Sequence, residues 1–161
     1  KPMSITIEKV SYTHPKDARI LEAVLVKWFQ NPKDLNLTSP NMSYPFKFKK
    51  WVSTYYTQNP IDSFVIKSDG WIVGIGSIKI LSETKRGHIF HIFIDKEYRN
   101  QGFGRKTMDY LESFAKKEKM EFLTLRVMPK NEPAIKLYEK LGFVNKGSTK
   151  QGDLLMKKSL V

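Results

Sequence analysis

Residues 99–104, which read RNQGFG, most constrain how this chain can fold, because they join two segments of different periodicity through a turn with two glycines. Residues 89–94 before the turn are mostly apolar and predict a buried strand, while residues 107–117 after it predict a helix with one apolar face. Gly102 and Gly104 remove the Cβ atoms that would hold a ligand away from the backbone. The first backbone N–H groups of a helix attract an anion, so the junction predicts a phosphate site.

Two common phosphate-binding loops do not fit this segment. A P-loop requires Gly-Lys followed by Ser or Thr, and the dinucleotide-binding fingerprint requires a third glycine three residues after the second. Position 107 is Thr107, and no Lys-Ser or Lys-Thr pair follows a second glycine at the required spacing. The pattern Arg-x-x-Gly-x-Gly fits instead, and it resembles the acyl-CoA pyrophosphate loop of the GNAT N-acetyltransferase superfamily. An ordinary strand-to-helix turn is the alternative interpretation.

A second segment, residues 131–143 (NEPAIKLYEKLGF), strengthens this resemblance. Asn131 is a good N-cap, Pro133 suits the first helical turn, and Gly142 is placed to end the helix. Tyr138 falls on the apolar face of this predicted helix. The segment is similar to the superfamily helix whose tyrosine commonly protonates the departing thiolate of CoA. A tyrosine that only packs in the core is the alternative.

The resemblance covers about residues 61–158 and implies an α/β fold in one domain over residues 1–161. That GNAT-like acyl-CoA N-acyltransferase fold has a central mixed, mostly antiparallel sheet flanked by helices. The patterns predict strands at residues 4–10, 61–67, 71–81, 88–94 and 121–127, with a closing hairpin at 143–146 and 153–159. They predict helices at residues 17–29, 46–58, 107–117 and 131–141, and a long loop at residues 30–45.

The same resemblance assigns site residues and implies acetyl-CoA as co-substrate. The residues expected to bind it are Ile92, Phe93, Ile94, Arg99, Asn100, Gln101, Gly102, Phe103, Gly104, Asn131 and Tyr138. In the superfamily, the strand before the loop is bulged and splays from its neighbour, which leaves backbone groups free for the pantetheine arm. Tyr138 is the expected general acid, because a phenol with an ordinary pKa of about 10 stays protonated at pH 7.

The general base is where this chain departs from the family pattern. Many members carry a glutamate on the strand that corresponds to residues 88–95, but this chain has only His88 and His91 there before Asp95. Strict alternation would place His91 on the same face as Ile89 and Phe93. His91 is the candidate base, acting directly or through water, because imidazole titrates near neutral pH. Glu83, water alone, or a merely packed His91 are the alternatives.

Composition and charge favour some classes of partner and cofactor and exclude others. The chain has 161 residues, a net charge of +12 and no cysteine, which favours an anionic partner and excludes disulfides and thiolate nucleophiles. Its three histidines have no metal-binding spacing, so no metal is expected. Neither a signal-peptide pattern nor a long apolar run is present, which predicts a cytoplasmic protein without a membrane partner. The dispersed lysines are typical of a solvated surface, and nucleic acid is not an expected partner.

The predicted function is an acetyl-CoA-dependent N-acetyltransferase that moves an acetyl group to a primary amine by direct attack in a ternary complex. Near pH 7.4 an α-amine is roughly a quarter neutral, whereas a lysine amine is neutral to about one part in a thousand. A peptide N-terminus or a small amine is therefore the expected acceptor, in a monomer or homodimer. The alternative is a non-catalytic module on the same fold that senses acyl-CoA or binds nucleic acid or the ribosome.

Overall fold

A seven-stranded sheet forms the centre of the protein. The structure, a computed structural model, describes residues 4–58 and 60–161, and within them the strand order is β1-β2-β3-β4-β5-β7-β6. Parallel pairing joins β4 to β5, and every other neighbouring pair is antiparallel. The strands are β1 (Ile5–Val10), β2 (Ile61–Ser68), β3 (Trp71–Leu81), β4 (Arg86–Ile94), β5 (Phe122–Val127), β6 (Val144–Ser148) and β7 (Leu154–Ser159). The predicted mixed, mostly antiparallel sheet is confirmed.

Helices cover both faces of this sheet. They are α1 (Pro15–Trp28), α2 (Pro32–Thr38), α3 (Phe48–Tyr55), α4 (Phe103–Lys117) and α5 (Glu132–Lys140). On one face, Leu111 of α4 and Tyr138 of α5 pack in a cluster with Ile89 of β4. On the other face, Leu25 of α1 and Trp51 of α3 pack in a second cluster with β4 residue Phe93. The single domain over residues 1–161 stays a prediction, since residues 1–3 and 59 lie outside the described residues.

The prediction of a loop over residues 30–45 is wrong for its first half, which contains α2. Asn31 caps this helix, because its Oδ1 accepts hydrogen bonds from the backbone N–H groups of Lys33 (2.9 Å) and Asp34 (3.1 Å). Pro32 occupies the first helical position, where its missing N–H costs no intrahelical hydrogen bond. Leu35 is fully buried and anchors the helix. The proline therefore marks a helix start here.

A β-bulge interrupts β4. Ser77 pairs with Phe90 and Ile75 pairs with Phe93, so Gly76 alone lies opposite the two residues His91 and Ile92. His91 adopts a left-handed backbone conformation with φ of +53°. This extra residue reverses the alternation of side chains along the strand.

The reversal corrects one expectation. Ile89 packs with α4 and α5, whereas His91 contacts Trp51 and Tyr55 of α3 on the opposite face, where Phe93 also packs. His91 therefore shares a face with Phe93, as strict alternation predicted, but not with Ile89. The bulge is the physical reason.

Strands β4 and β5 separate next to the bulge. Their parallel pairing runs from Arg86 opposite Phe122 to Ile89 opposite Leu125 and goes no further within the described residues. The remainder of β4, residues 90–94, borders an opening in the sheet on its β5 side. This divergence agrees with the splayed strand that the family resemblance implies.

Candidate active site

Two cavities adjoin along β4. Residues 92–94 line the first cavity, of about 610 Å³, together with the beginnings of α4 and α5. Residues 89–91 line the second, of about 560 Å³, together with parts of α3, β3, β5 and β7. Leu37 and Thr38 of α2 line both cavities. The bulge at His91 and Ile92 therefore marks the point where the two cavities meet.

The first cavity contains the start of α4. Gly102 precedes the helix with φ of +86°, a conformation that glycine adopts readily, and the N–H of Lys106 donates to the Gly102 carbonyl over 3.0 Å. The N–H groups at the beginning of α4, residues 103–105, have no partner within the helix and can bind an anion. Basic side chains also outnumber the acidic one, Asp34, along this wall. The basic residues that line the cavity are Lys33, Arg99, Arg105 and Lys130.

Nearly all the residues that the sequence assigns to acetyl-CoA line this first cavity. They are Ile92, Phe93, Ile94, Arg99, Asn100, Gly102, Phe103, Gly104, Asn131 and Tyr138. Gln101 does not line it, and its side-chain amide donates to the Glu97 carbonyl over 3.3 Å instead. The cofactor-binding role of each residue stays a prediction. Sequence reasoning missed Lys33, Leu37 and Thr38, because the segment that carries them was predicted as a loop.

Arg99 is folded back against the protein. Its Nε donates to the Ile94 carbonyl over 2.8 Å, and its guanidinium lies 5.1 Å from the centre of the Phe93 ring. One guanidinium nitrogen also lies 3.6 Å from Asp34 Oδ1 on α2. Arg99 thus joins the end of β4 to α2 at the edge of the first cavity.

Tyr138 reaches the same cavity from α5. Asn131 caps this helix by accepting a hydrogen bond from the N–H of Ala134 over 3.4 Å, as the sequence predicts. The Tyr138 ring packs on Phe143, with 5.9 Å between ring centres, and only 8% of the residue is exposed. Burial raises the pKa of Tyr138 to about 12, so its phenol is protonated at pH 7. Within residues 4–58 and 60–161, no group hydrogen-bonds to its hydroxyl.

His91 is held inside the protein at the second cavity. Its Nδ1 lies 2.6 Å from the Tyr56 hydroxyl, its Nε2 lies 3.2 Å from Ser39 Oγ, and its ring stacks on Trp51 with 3.9 Å between centres. Burial lowers the pKa of His91 to about 3, so the ring is neutral at pH 7. A general base works best with a pKa near the operating pH. Its role as a base stays a prediction, and its contacts indicate that it holds the bulge in place.

His88, the other histidine of β4, and Glu83, the alternative base, differ in position. His88 lines the second cavity, and its Nδ1 lies 2.9 Å from Thr124 Oγ1. Burial is the main cause that lowers the pKa of His88 to about 4, and nearby positive charges add to the effect. Glu83 lies in the 3-10 helix Ser82–Thr84 and lines neither cavity.

The sequence profile of the Acetyltransferase (GNAT) family matches residues 24–143. The chain belongs to this family. The match includes both glycine-containing segments and the strand that carries the bulge, and the family uses acetyl-CoA as its acetyl donor. A protein described as a domain from Methanocaldococcus jannaschii has the same fold, with a TM-score of 0.80 at 20% identity over 99% of this chain and 100% of that one. The predicted GNAT-like fold is thereby confirmed.

Two curated relatives share parts of the sequence. The N-terminal acetyltransferase B complex catalytic subunit NAA20 of Arabidopsis thaliana is 38% identical over 71 residues, which are 44% of this chain and 41% of that protein. The L-amino acid N-acetyltransferase AaaT of Escherichia coli is 28% identical over 107 residues, 63% of this chain and 64% of that protein. The chain therefore spans less than two thirds of either relative.

Neither a membrane span nor a metal cluster occurs in the part of the chain that the structure describes. Each helix there is too short or too polar to cross a bilayer. No three His, Cys, Asp or Glu side chains in those residues come together in a group that could hold a metal ion. The cytoplasmic location and the monomer or homodimer stay predictions.

We expect Gly102→Ala to weaken acetyl-CoA binding about tenfold or more, because a methyl group would be added at the mouth of the phosphate site. Gly70→Ala is a matched control: Gly70 has φ of +87°, a new Cβ at either glycine meets nothing within 4 Å, and Gly70 lines neither cavity. Both changes should cost about 1–2 kcal/mol of folding stability through the left-handed backbone. Calorimetry that finds equal acetyl-CoA affinity in the two variants would contradict the assignment.

We also expect the protein to lose stability as the pH falls from 7 to 5. The pKa of His91 is about 3 and that of His88 about 4 when folded, against 6.5 as the ordinary value, so only the unfolded chain gains these protons below pH 6.5. Each histidine then removes up to about 1.4 kcal/mol per pH unit. Thermal melts should show a smaller fall for His91→Gln, while His14→Gln, at an exposed position, should behave as wild type. A melting temperature that is constant between pH 7 and 5 would contradict this.

Proposed function

We propose that this protein catalyses the transfer of an acetyl group from acetyl-CoA to a primary amine, by direct attack while both substrates are bound. The observation that carries the proposal is the meeting of two cavities at the bulge of β4. One cavity has the charge and the helix N-terminus that suit a pyrophosphate, and the other is open to a second substrate. Donor and acceptor can therefore be held at the same time without a covalent enzyme intermediate.

The donor would occupy the first cavity. Its pyrophosphate would bind the N–H groups at the start of α4, helped by Arg105 and Lys130, which line the same wall. Its pantetheine arm would follow residues 92–94, where β4 is not paired with β5 within the described residues. The thioester would then lie near the bulge, with the Tyr138 hydroxyl on the same cavity wall.

The chemistry requires two proton movements. A neutral amine in the second cavity would attack the thioester carbonyl and form the C–N bond, and backbone N–H groups of β4 would stabilise the oxyanion. When the C–S bond breaks, the thiolate would take its proton from the Tyr138 phenol, and the phenolate would then regain a proton from solvent. The extra proton on the new amide nitrogen would leave to a water molecule in the second cavity, since both ring nitrogens of His91 bond within the protein. His91 as a direct base is the alternative.

The raised pKa of Tyr138 is compatible with this role. Burial that disfavours the phenolate also disfavours a thiolate held in the same cavity, so both pKa values rise together. The ordinary difference between phenol and thiol is about 1.5 units, which makes the transfer uphill by only about 2 kcal/mol. Formation of the stable amide in the same step can offset a cost of this size.

An α-amine is the acceptor class that we propose. No carboxylate lies on β4 to deprotonate an amine with a high pKa, which favours an amine that is already partly neutral at pH 7. The names of the two relatives, an N-terminal acetyltransferase subunit and an L-amino acid N-acetyltransferase, agree with this class.

A screen of amino acids and short peptides with free N-termini, incubated with acetyl-CoA and followed by mass detection of acetylated products, tests the function. We expect at least one α-amine to be acetylated, with CoA released in equal amount. Binding of acetyl-CoA without acetylation of any amine would overturn the proposal and favour the acyl-CoA sensor.

We expect Tyr138→Phe to lower kcat by about ten- to a thousandfold, the usual worth of acid–base assistance, because it removes the proton donor and keeps the packed ring. Acetyl-CoA affinity and melting temperature should change little. Tyr110→Phe is the control, since Tyr110 is 38% exposed and lines neither cavity. Single-turnover kinetics that match wild type for a folded Tyr138→Phe variant would remove Tyr138 from the mechanism.

A further inference from the structure

The second cavity carries more positive than negative charge. Lys79, Arg86 and Arg126 line it, and the one carboxylate on its wall within the described residues belongs to Asp153. Lys79 and Arg86 are half-buried, while Arg126 is exposed. This differs from the dispersed lysines elsewhere, because three cations from three strands line one cavity.

The register of the sheet brings these cations together. Lys79 on β3 lies opposite His88 on β4, and His88 lies beside Thr124 on β5. Arg86 and Arg126 are on the same face, each two residues or about 7 Å from that row but in opposite directions along the strands. Thr124 Oγ1 confirms the shared face, since it lies 3.4 Å from Arg86 Nη1 and 2.9 Å from His88 Nδ1.

No carboxylate neutralises these three cations within the part of the chain that the structure describes. The ion pairs found there use Lys9, Lys67, Arg99, Lys116 and Lys158. Asp153 instead accepts a hydrogen bond from the Thr149 hydroxyl. Burial, helped by the positive charges of Arg86, Arg126 and Lys79 and opposed by Asp153, lowers the pKa of His88 to about 4, so His88 stays neutral at pH 7. Lys79 and Arg86 are half-buried, and a bound anion would supply the opposite charge that burial of a cation calls for.

Arg126 lies near the bulge of β4, where the acetyl group would be transferred. Arg126 follows Leu125, which pairs with Ile89, so Arg126 is level with Phe90. His91, where the bulge begins, is the next residue of β4 after Phe90. In an extended peptide the second Cα lies about 3.8 Å beyond the first, and a glutamate side chain reaches further. A peptide whose α-amine reaches the bulge would therefore bring the side chain of its second residue near Arg126.

We propose that the second cavity selects amine acceptors that carry a negative charge, and that its preferred ligand is a peptide N-terminus with an acidic residue next to the first. This inference rests on the proposed function and names the substrate class of the same site. Arg126 and Lys79 would pair with the carboxylate, and a polycationic amine would be repelled by the same charges.

Three peptides test the inference: Ala-Glu-Ala-Ala, Ala-Gln-Ala-Ala and Ala-Lys-Ala-Ala, each with a free N-terminus and an amidated C-terminus. We expect kcat/KM for the Glu peptide to exceed that for the Gln peptide about tenfold, mostly through KM, and the Lys peptide to be the poorest. Equal values for the three peptides, or a preference for Lys, would overturn the inference and leave the proposed function intact.

Substitutions of single cations test which side chains cause the preference for the Glu peptide. Arg126→Gln and Lys79→Gln should each move the Glu-to-Gln ratio of kcat/KM toward one. Arg19→Gln makes the same change of charge on the exposed surface of α1, lines neither cavity, and should leave the ratio as in wild type. A ratio that is unchanged in both cavity variants, with normal melting temperatures, would overturn the inference.

Peptide binding to the CoA-loaded protein separates this inference from the proposed function. If no amine is acetylated, the proposed function is overturned. Calorimetry with the Glu and Gln peptides still tests whether the second cavity prefers an anionic ligand. Tighter binding of the Glu peptide, lost in Arg126→Gln, would support an anion-selective cavity. Equal binding of the two peptides would overturn it.

Discussion

The bulge in β4 is the constraint on which the rest of the site depends. His91 holds a left-handed backbone conformation, which costs on the order of 1 kcal/mol for a residue other than glycine. The cost is offset by the environment of its side chain, which stacks on Trp51 and bonds to Tyr56 and Ser39. The pairing with β5 ends at Ile89, just before the bulge, and the gap that follows lets both cavities reach the same stretch of backbone.

Basic side chains outnumber acidic ones in both cavities, but a helix N-terminus adds to the positive charge only in the first. The first combines the N-terminus of α4 with basic side chains, an arrangement that suits the phosphates of CoA. In the second, Lys79, Arg86 and Arg126 line a cavity with one carboxylate on its wall in the described chain. Part of the net charge of +12 is therefore concentrated where substrates would bind, although most lysines are on the surface. Helix α2 contacts both cavities and, through Asp34 and Arg99, the loop before α4.

Sequence alone determined the features that depend on local spacing. The strand, glycine turn and helix around Gly102 follow from residues adjacent in the chain, as do the Asn131 cap and the inward face of Tyr138. Both segments could therefore be read without knowing the fold, and together they pointed to the family. The strands of the sheet were also predicted, since a strand that buries one face shows alternating apolar residues in its own sequence.

Tertiary structure alone decided the features that depend on pairing between distant strands. The face that His91 occupies is set by its register against Gly76, and a single extra residue reverses the alternation that the sequence suggests. Lys79, Arg86 and Arg126 form a cluster only because β3, β4 and β5 lie side by side, and no spacing along the chain reveals it. The start of α2 at Pro32 was ambiguous for a related reason: proline suits both a loop and a first helical turn, and burial of Leu35 decides between them.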